Sequence, residues 1–159
     1  MDRVKAAIFS SLGETVIGAR VLDLFAGAGG LGIEAMSRGA ASAVFVESNR
    51  NAARAIERNL EIAGVTGRVH VRDVFDFLKY ETGHFDIIFA DPPYETAPGD
   101  KAYTDLLLNN PRIPALLAPP GVFVLEKRPG ERLPQHPRWK ITRARRYGAT
   151  EVIFAEHEG

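Results

Sequence analysis

The chain has 159 residues, 45% of them apolar and 25% charged, the size of one globular domain that can bury a sheet between helical layers. Twenty basic residues balance twenty acidic ones, so any argument for nucleic-acid binding must rest on local charge. Cysteine is absent, which excludes disulfides, thiolate metal sites and sulfur nucleophiles, and the longest apolar stretches are too short to span a bilayer. A single domain over residues 1–159, cytoplasmic and without a membrane anchor, is the expectation, since Met1-Asp2-Arg3 does not lead into a signal-peptide core.

In chain order, Val4, Ala7, Ile8 and Leu12 fall on one helical face, with Asp2 placed to cap it. Arg20 to Phe25 reads as a buried strand, followed by a helix from Gly29 to Ser37 that ends near Gly39. Ala43 to Glu47 is a second strand, and Asn51 to Ala63 a helix bounded by Gly64. Arg68 to Arg72 pairs with a helix from Val74 to Tyr80, and Phe85 to Ala90 with helical material between Lys101 and Leu117. Gly121 to Glu126 makes a fifth strand, while the stretches near Pro98, Pro119 and Pro129 read as loops. Strands that are apolar throughout and alternate with helices predict a parallel sheet covered on both faces, a doubly wound α/β fold. Trp139 to Arg145 and Glu151 to Glu156 have no room for a helix between them and predict an antiparallel hairpin at a sheet edge, turning at Tyr147-Gly148-Ala149.

Asp23-Leu24-Phe25-Ala26-Gly27-Ala28-Gly29-Gly30-Leu31-Gly32 lies where the first strand turns into a helix, so backbone can pass close beneath a ligand at a helix N-terminus. Glu47 ends the second strand about 20 residues beyond Gly27, where a carboxylate can accept from both ribose hydroxyls. Gly27, Gly29 and Gly32 also satisfy the dinucleotide pattern, so the loop alone would serve NAD. Asp23 decides against it, because an acid just ahead of the loop suits the ammonium of S-adenosylmethionine and opposes a pyrophosphate. The plainer alternative is that Asp23 only satisfies loop amides. Asp73 is placed to accept from an adenine amino group, with the Val74 amide serving the ring, and equally to cap the following helix.

Asp91-Pro92-Pro93-Tyr94 follows the apolar fourth strand at the carboxyl edge, where open α/β sheets bind ligands. An exocyclic base amine is a poor nucleophile because its lone pair is delocalised into the ring. Two acceptors aimed at its two hydrogens, the Asp91 carboxylate and the Pro92 carbonyl, would pyramidalise the nitrogen and turn the lone pair toward an electrophilic methyl. Pro93 stiffens the turn, and Tyr94 offers a face on which a flipped base can stack.

These segments resemble the class I, Rossmann-like amino-methyltransferases. Asp2-Arg3-Val4-Lys5-Ala6-Ala7-Ile8-Phe9, Leu22 to Gly27, Ser37-Arg38-Gly39-Ala40, Asn59-Leu60 and Arg146-Tyr147-Gly148 resemble more closely the RsmD family, bacterial 16S rRNA guanine-N2 methyltransferases. The resemblance implies a seven-stranded, mostly parallel sheet with an antiparallel C-terminal hairpin, and S-adenosylmethionine as donor. It implies a cofactor site that takes in Asp23, Phe25, Ala26, Gly27, Gly29, Glu47, Ser48, Asp73, Val74 and Asp91, and a guanine of the assembling small ribosomal subunit as acceptor. The family usually carries a basic hairpin and an Arg-Pro-Thr segment ahead of the first helix, whereas this sequence begins at that helix.

Other acceptors fit less well. Ring-carbon methylation of pyrimidines generally needs a cysteine. Adenine-N6 methylation of DNA or RNA is compatible with the tetrapeptide, but sequence-reading DNA enzymes usually need an additional region. Glutamine methylation generally uses Asn in place of Asp91. A non-catalytic binding module is opposed by the intact Asp91 and Tyr94. Lys127, Arg128, Arg132, Arg138, Lys140, Arg143, Arg145 and Arg146 favour RNA, with Arg143 and Arg145 expected to touch it; charges that blunt an edge strand are the alternative. His70, His84, His136 and His157 show no ligand spacing, so no metal is expected, and the reading is of a monomer.

Overall fold

The structure, a computed structural model, describes residues 2–93, 102–129 and 138–158. Seven strands form one sheet in the order β3-β2-β1-β4-β5-β7-β6: β1 (Arg20–Leu24), β2 (Ser42–Glu47), β3 (Arg68–Val71), β4 (Phe85–Ala90), β5 (Leu117–Lys127), β6 (Trp139–Tyr147) and β7 (Thr150–His157). The first five are parallel; β7 lies between β5 and β6 and is antiparallel to both, so only β6 of the hairpin is an edge. This is the doubly wound α/β arrangement expected, with strand order reversing between β1 and β4.

Side-chain alternation sends Leu22, Leu24, Ile88 and Phe123 to one face, under α4 (Val74–Tyr80), α5 (Tyr103–Leu108) and α6 (Arg112–Leu116). It sends Val21, Phe45, Phe89 and Val124 to the other, under α1 (Arg3–Leu12), α2 (Gly30–Ser37) and α3 (Arg50–Ala63). Both faces are dry, which is why β1, β4 and β5 are continuous apolar runs. Helix starts follow from local chemistry: Asp2 accepts from Val4 and Lys5 N–H, Asn49 from Ala52 and Asp73 from Phe75 and Asp76. Gly64, left-handed at φ 70°, ends α3.

One expectation needed correction. Pro119 and Pro120 lie within β5 and not in a loop: the strand first pairs at Leu117 with Phe85, is interrupted by the two prolines, which have no N–H to give, and resumes opposite Ile87 at Val122. The helical material after residue 101 is two short helices, α5 and α6, separated at Asn109 to Pro111. No helix among the described residues is long and apolar enough to cross a membrane.

The close contact of α2 with the sheet sets one measurable constraint. A Cβ on Gly32 would stand 2.3 Å from a ring atom of the fully buried Phe45. Gly32→Ala is therefore expected to destabilise the fold by about 1–3 kcal/mol in urea denaturation, despite alanine's better helix propensity; an unchanged midpoint would mean that α2 does not sit this close.

Candidate active site

The carboxyl ends of β1, β2, β4 and β5, with the start of α4, enclose a cleft of about 800 Å³ lined by Phe25, Glu47, Asp73, Asp91, Tyr103 and Glu126 among others. A smaller hollow of about 190 Å³ adjoins it beneath the N-terminus of α1, sharing Asp2, Phe25, Asp91 and Glu126 and adding Asp23, Ala26 and Gly30. A hollow of about 910 Å³ at the amino end of the sheet, beside Pro119 and Pro120, carries Arg138 and His157 but none of the residues assigned to the cofactor or to catalysis.

The glycine loop is fastened from four sides. Ala26 N–H donates to Val46 O, Gly27 N–H to Glu47 Oε1, Gly32 N–H to Asp23 Oδ2, and the Asn59 amide of α3 donates to Ala28 O. Gly27 and Gly29 have positive φ, and nothing lies within 4 Å of where a Gly27 Cβ would be, so the loop presents bare backbone to open space. Phe25 also adopts the left-handed region, φ 56°, a strain of roughly 1–3 kcal/mol for a non-glycine residue. The turn carries its ring to the α4 side, edge-on to Tyr103 at 5.4 Å and to Phe75 at 6.4 Å. Phe75 and Tyr103 stack nearly parallel, which gives the cleft an apolar wall.

The carboxylates have dual placements. Glu47 accepts from Gly27 N–H on one oxygen and Asn49 N–H on the other, which leaves lone-pair capacity on both. Asp73 caps α4 through Oδ2 and also lines the cleft with Ser48 and Val74. Asp23 is 2% exposed, holds α2 through Gly32 and still reaches the smaller hollow. Burial, with help from Asp91 and Glu47 and against the Gly32 hydrogen bond, pushes its carboxyl up to about 8. Glu126 is likewise pushed to about 8 by burial, then by Asp91, Asp23 and Asp2. Asp91, at the cleft mouth, is raised by the surrounding protein and by Asp2.

Pro92 is buried beside Asp91 and Pro93 is exposed, both on the cleft. Tyr94 lies outside the described residues, as do Arg132 and His136. Arg143 and Arg145 are exposed on β6 rather than in the cleft. A register shift between Ile141 and Arg143 sets Lys140, Arg143 and Arg145 opposite Glu156, Phe154 and Val152, so the three cations share one face of the edge strand. Among the described residues no cluster of three or more His, Asp or Glu is disposed to hold a metal. Sequence reasoning missed Glu126, Phe75 and Tyr103 and took Asp2 only as a cap. Glu126 lies next to the end of a strand at the carboxyl edge, a signal that was available.

A family model described as conserved hypothetical protein 95 matches residues 1–156. The chain belongs to this family, the RsmD family. Ribosomal RNA small subunit methyltransferase D of Haemophilus influenzae is 35% identical over 114 residues, 69% of this chain and 59% of that protein. Among solved structures, a conserved hypothetical protein of Streptococcus pyogenes is 33% identical with a TM-score of 0.81, covering 98% of this chain and 96% of that one. The T. thermophilus 16S rRNA N2 methyltransferase RsmC, in complex with AdoMet and guanosine, is 26% identical with a TM-score of 0.77, covering 99% of this RsmD-family chain and 43% of the other. The chain spans about half the length of the curated relatives it matches.

The acid cluster makes the stability of the ligand-free protein depend on pH. Glu126 keeps its proton to about 8 when folded, against an ordinary value of 4.5, so between these values the unfolded chain binds fewer protons and rising pH costs stability. That penalty is absent below the unfolded value and constant above about 8; His70, whose pKa is lowered first by burial, acts in the opposite sense near its ordinary value. Denaturation midpoints of wild type and Glu126→Gln, followed from about pH 5 to about 8, are expected to diverge in favour of the variant as pH rises. Parallel curves would show that Glu126 is not held protonated.

Proposed function

We propose that the chain transfers a methyl group from S-adenosylmethionine to the exocyclic N2 amine of a guanine in small-subunit ribosomal RNA. The observation that carries this reading is the placement of Asp91 and Pro92 at the mouth of a cleft whose other end is built from the glycine loop, Glu47 and Asp73.

The residues present fit the donor. Glu47 retains acceptor capacity on both oxygens for the ribose hydroxyls, the Gly27 backbone is open, and Asp73 stands at the far end beside Val74 for the adenine. Asp2, Asp23, Asp91 and Glu126 crowd the inner part, where burial and neighbouring acids drive Asp23, Asp91 and Glu126 toward their neutral forms in the absence of a cationic ligand. A ligand carrying an ammonium and a sulfonium relieves that repulsion, and a pyrophosphate would aggravate it. When bound, the cofactor supplies an electrophilic methyl group.

Asp91 and the Pro92 carbonyl then accept the two amine hydrogens and hold the nitrogen with its lone pair toward the methyl. Asp91 is also placed to take the proton that the nitrogen sheds once it is alkylated, a role consistent with a carboxyl raised above its ordinary range. The aromatic wall of Phe25, Phe75 and Tyr103 keeps water from one side of the cleft. Support for RNA comes from the family relatives and from the row of Lys140, Arg143 and Arg145, brought to one face by the bulge.

Two experiments test the reading. Single-turnover methylation of small-subunit particles, with donor binding by calorimetry, is expected to show Asp91→Ala slowed about 10²–10³-fold with donor affinity within a few-fold; Glu47→Ala should instead lose about 1–3 kcal/mol of donor binding. An Asp91→Ala enzyme at wild-type rate would end the mechanism. Charge reversal at Arg143 or Arg145 should weaken particle binding and flatten its salt dependence while donor affinity survives; salt-independent binding would reduce the row to an edge-blunting device.

A further inference from the structure

Glu126 is assigned no contact with the acceptor in the mechanism above, yet it lines both hollows. It lies near the end of β5, one residue beyond the last register pair of Ala90 with Leu125, as Asp91 lies one residue beyond it on the neighbouring strand. Alternation puts it on the same sheet face as Val124, and therefore as Phe89, Val21 and the N-terminus of α1. On this chain the groups assigned to the donor, the glycine loop, Glu47 and Asp73, belong to β1, β2 and the segment after β3, on one side of the strand-order reversal. Glu126 belongs to the other side, beyond Asp91. It thus faces the acceptor end of the cleft, with Thr150 and Pro93 beside it.

We propose that Glu126 reads the acceptor base, accepting the N1–H of the guanine whose N2 amine is held by Asp91 and Pro92. This rests on the guanine-N2 reading and extends it to the choice of base. The Watson–Crick edge of guanine carries N1–H directly beside the N2 amine, so an acceptor one strand over from the amine-binding acid meets a donor. Adenine has a bare ring nitrogen beside its amine, and cytosine likewise, so each sets a lone pair against the carboxylate, the form Glu126 takes once the donor's cations offset the burial and the neighbouring acids that hold it protonated in the ligand-free protein. A partly buried acceptor left facing an acceptor is the kind of mismatch that discriminates strongly, because its desolvation is not repaid. The carboxyl is shielded from water and surrounded by Asp2, Asp23 and Asp91, with Lys5 of α1 on the smaller hollow, so a donor delivered by substrate is the partner it lacks among the acids around it. The neighbouring Lys127 is committed to Glu151 at 2.7 Å and to the Arg128 carbonyl.

The test uses the full chain and small-subunit particles lacking the modification, with nucleoside products identified by mass spectrometry. Glu126→Leu, similar in size but without an acceptor, is expected to lower kcat/KM about 10- to 100-fold, and Glu126→Gln, which keeps one acceptor, to fall between it and wild type. S-adenosylhomocysteine, which carries the ammonium but not the sulfonium, should lose no more than a few-fold in affinity in both, less than the loss in kcat/KM, and its binding also reports folding. As a readout that a structural role would not move, guanosine should inhibit wild type more strongly than 1-methylguanosine, and Glu126→Leu should erase that preference. A loss of S-adenosylhomocysteine affinity as large as the loss in kcat/KM, unchanged kcat/KM, or equal inhibition of wild type by the two nucleosides would each overturn the assignment. The nucleoside comparison on wild type stands whether or not a variant folds. Wild type that forms no N2-methylguanosine would overturn the guanine reading and this assignment with it, whereas wild type that forms it while Glu126→Leu matches its rate and preference would overturn the assignment alone.

Discussion

The hydrogen bond from Gly32 N–H to the buried Asp23 carboxylate joins the first turn of α2 to the middle of the sheet. The loop between them has to span that fixed distance, and it does so with Phe25, Gly27 and Gly29 at positive φ. Its course then sets where backbone is open above the loop, where the Phe25 ring goes, and which oxygen of Glu47 is taken up by Gly27 N–H. A neutral acceptor could make the same bond. A carboxylate also places acid beneath the hollow under α1, which a buried structural group has no reason to do, since desolvation opposes its ionisation.

The balanced net charge of the chain conceals a division. Carboxyl groups collect at the carboxyl ends of the central strands, where burial raises the proton affinity of Asp23, Asp91 and Glu126, and Asp91 adds to that of the other two. Cations collect two strands away on β6. The bulge after Ile141 matters to this arrangement: in regular alternation Lys140 would share a face with Thr142 and Ala144, whereas the extra residue brings Arg143 and Arg145 to the Lys140 side. Because β6 runs parallel to β5, Arg145 and Tyr147 lie toward the same end of the sheet as the cleft. A polyanion on that face would extend toward the acidic site without having to enter it, and a neutral base would be the part that does.

What was legible in the sequence was whatever local chemistry decides. The apolar runs Arg20 to Leu24 and Phe85 to Ala90, the caps Asp2 and Asp73, and the glycine loop are each fixed by a few adjacent residues, and they sit where the pattern put them. The entry of Pro119 and Pro120 into β5 was not legible, because it depends on Leu117 finding Phe85 across the sheet. Nor was the exchange of β6 and β7 in spatial order, which the hairpin pattern alone leaves open. The aromatic wall was missed for the same reason: Phe25, Phe75 and Tyr103 come from three separate segments and meet only because Phe25 turns left-handed.

The structural bonds of these residues and their place in the cleft are parts of one arrangement. Asp73 caps α4, Glu47 ties the loop and Asn49, and Asp23 anchors α2. Each of those bonds is supplied by backbone N–H groups that belong to the site itself. A carboxylate held in this way is fixed in position without losing all its lone pairs, so less ordering remains to be done when a ligand arrives. The structural bonds are therefore what make these acids usable as a preorganised site, and Glu126, with no comparable backbone bond to account for its place in the cleft, is the member of the set whose position fold stability explains least.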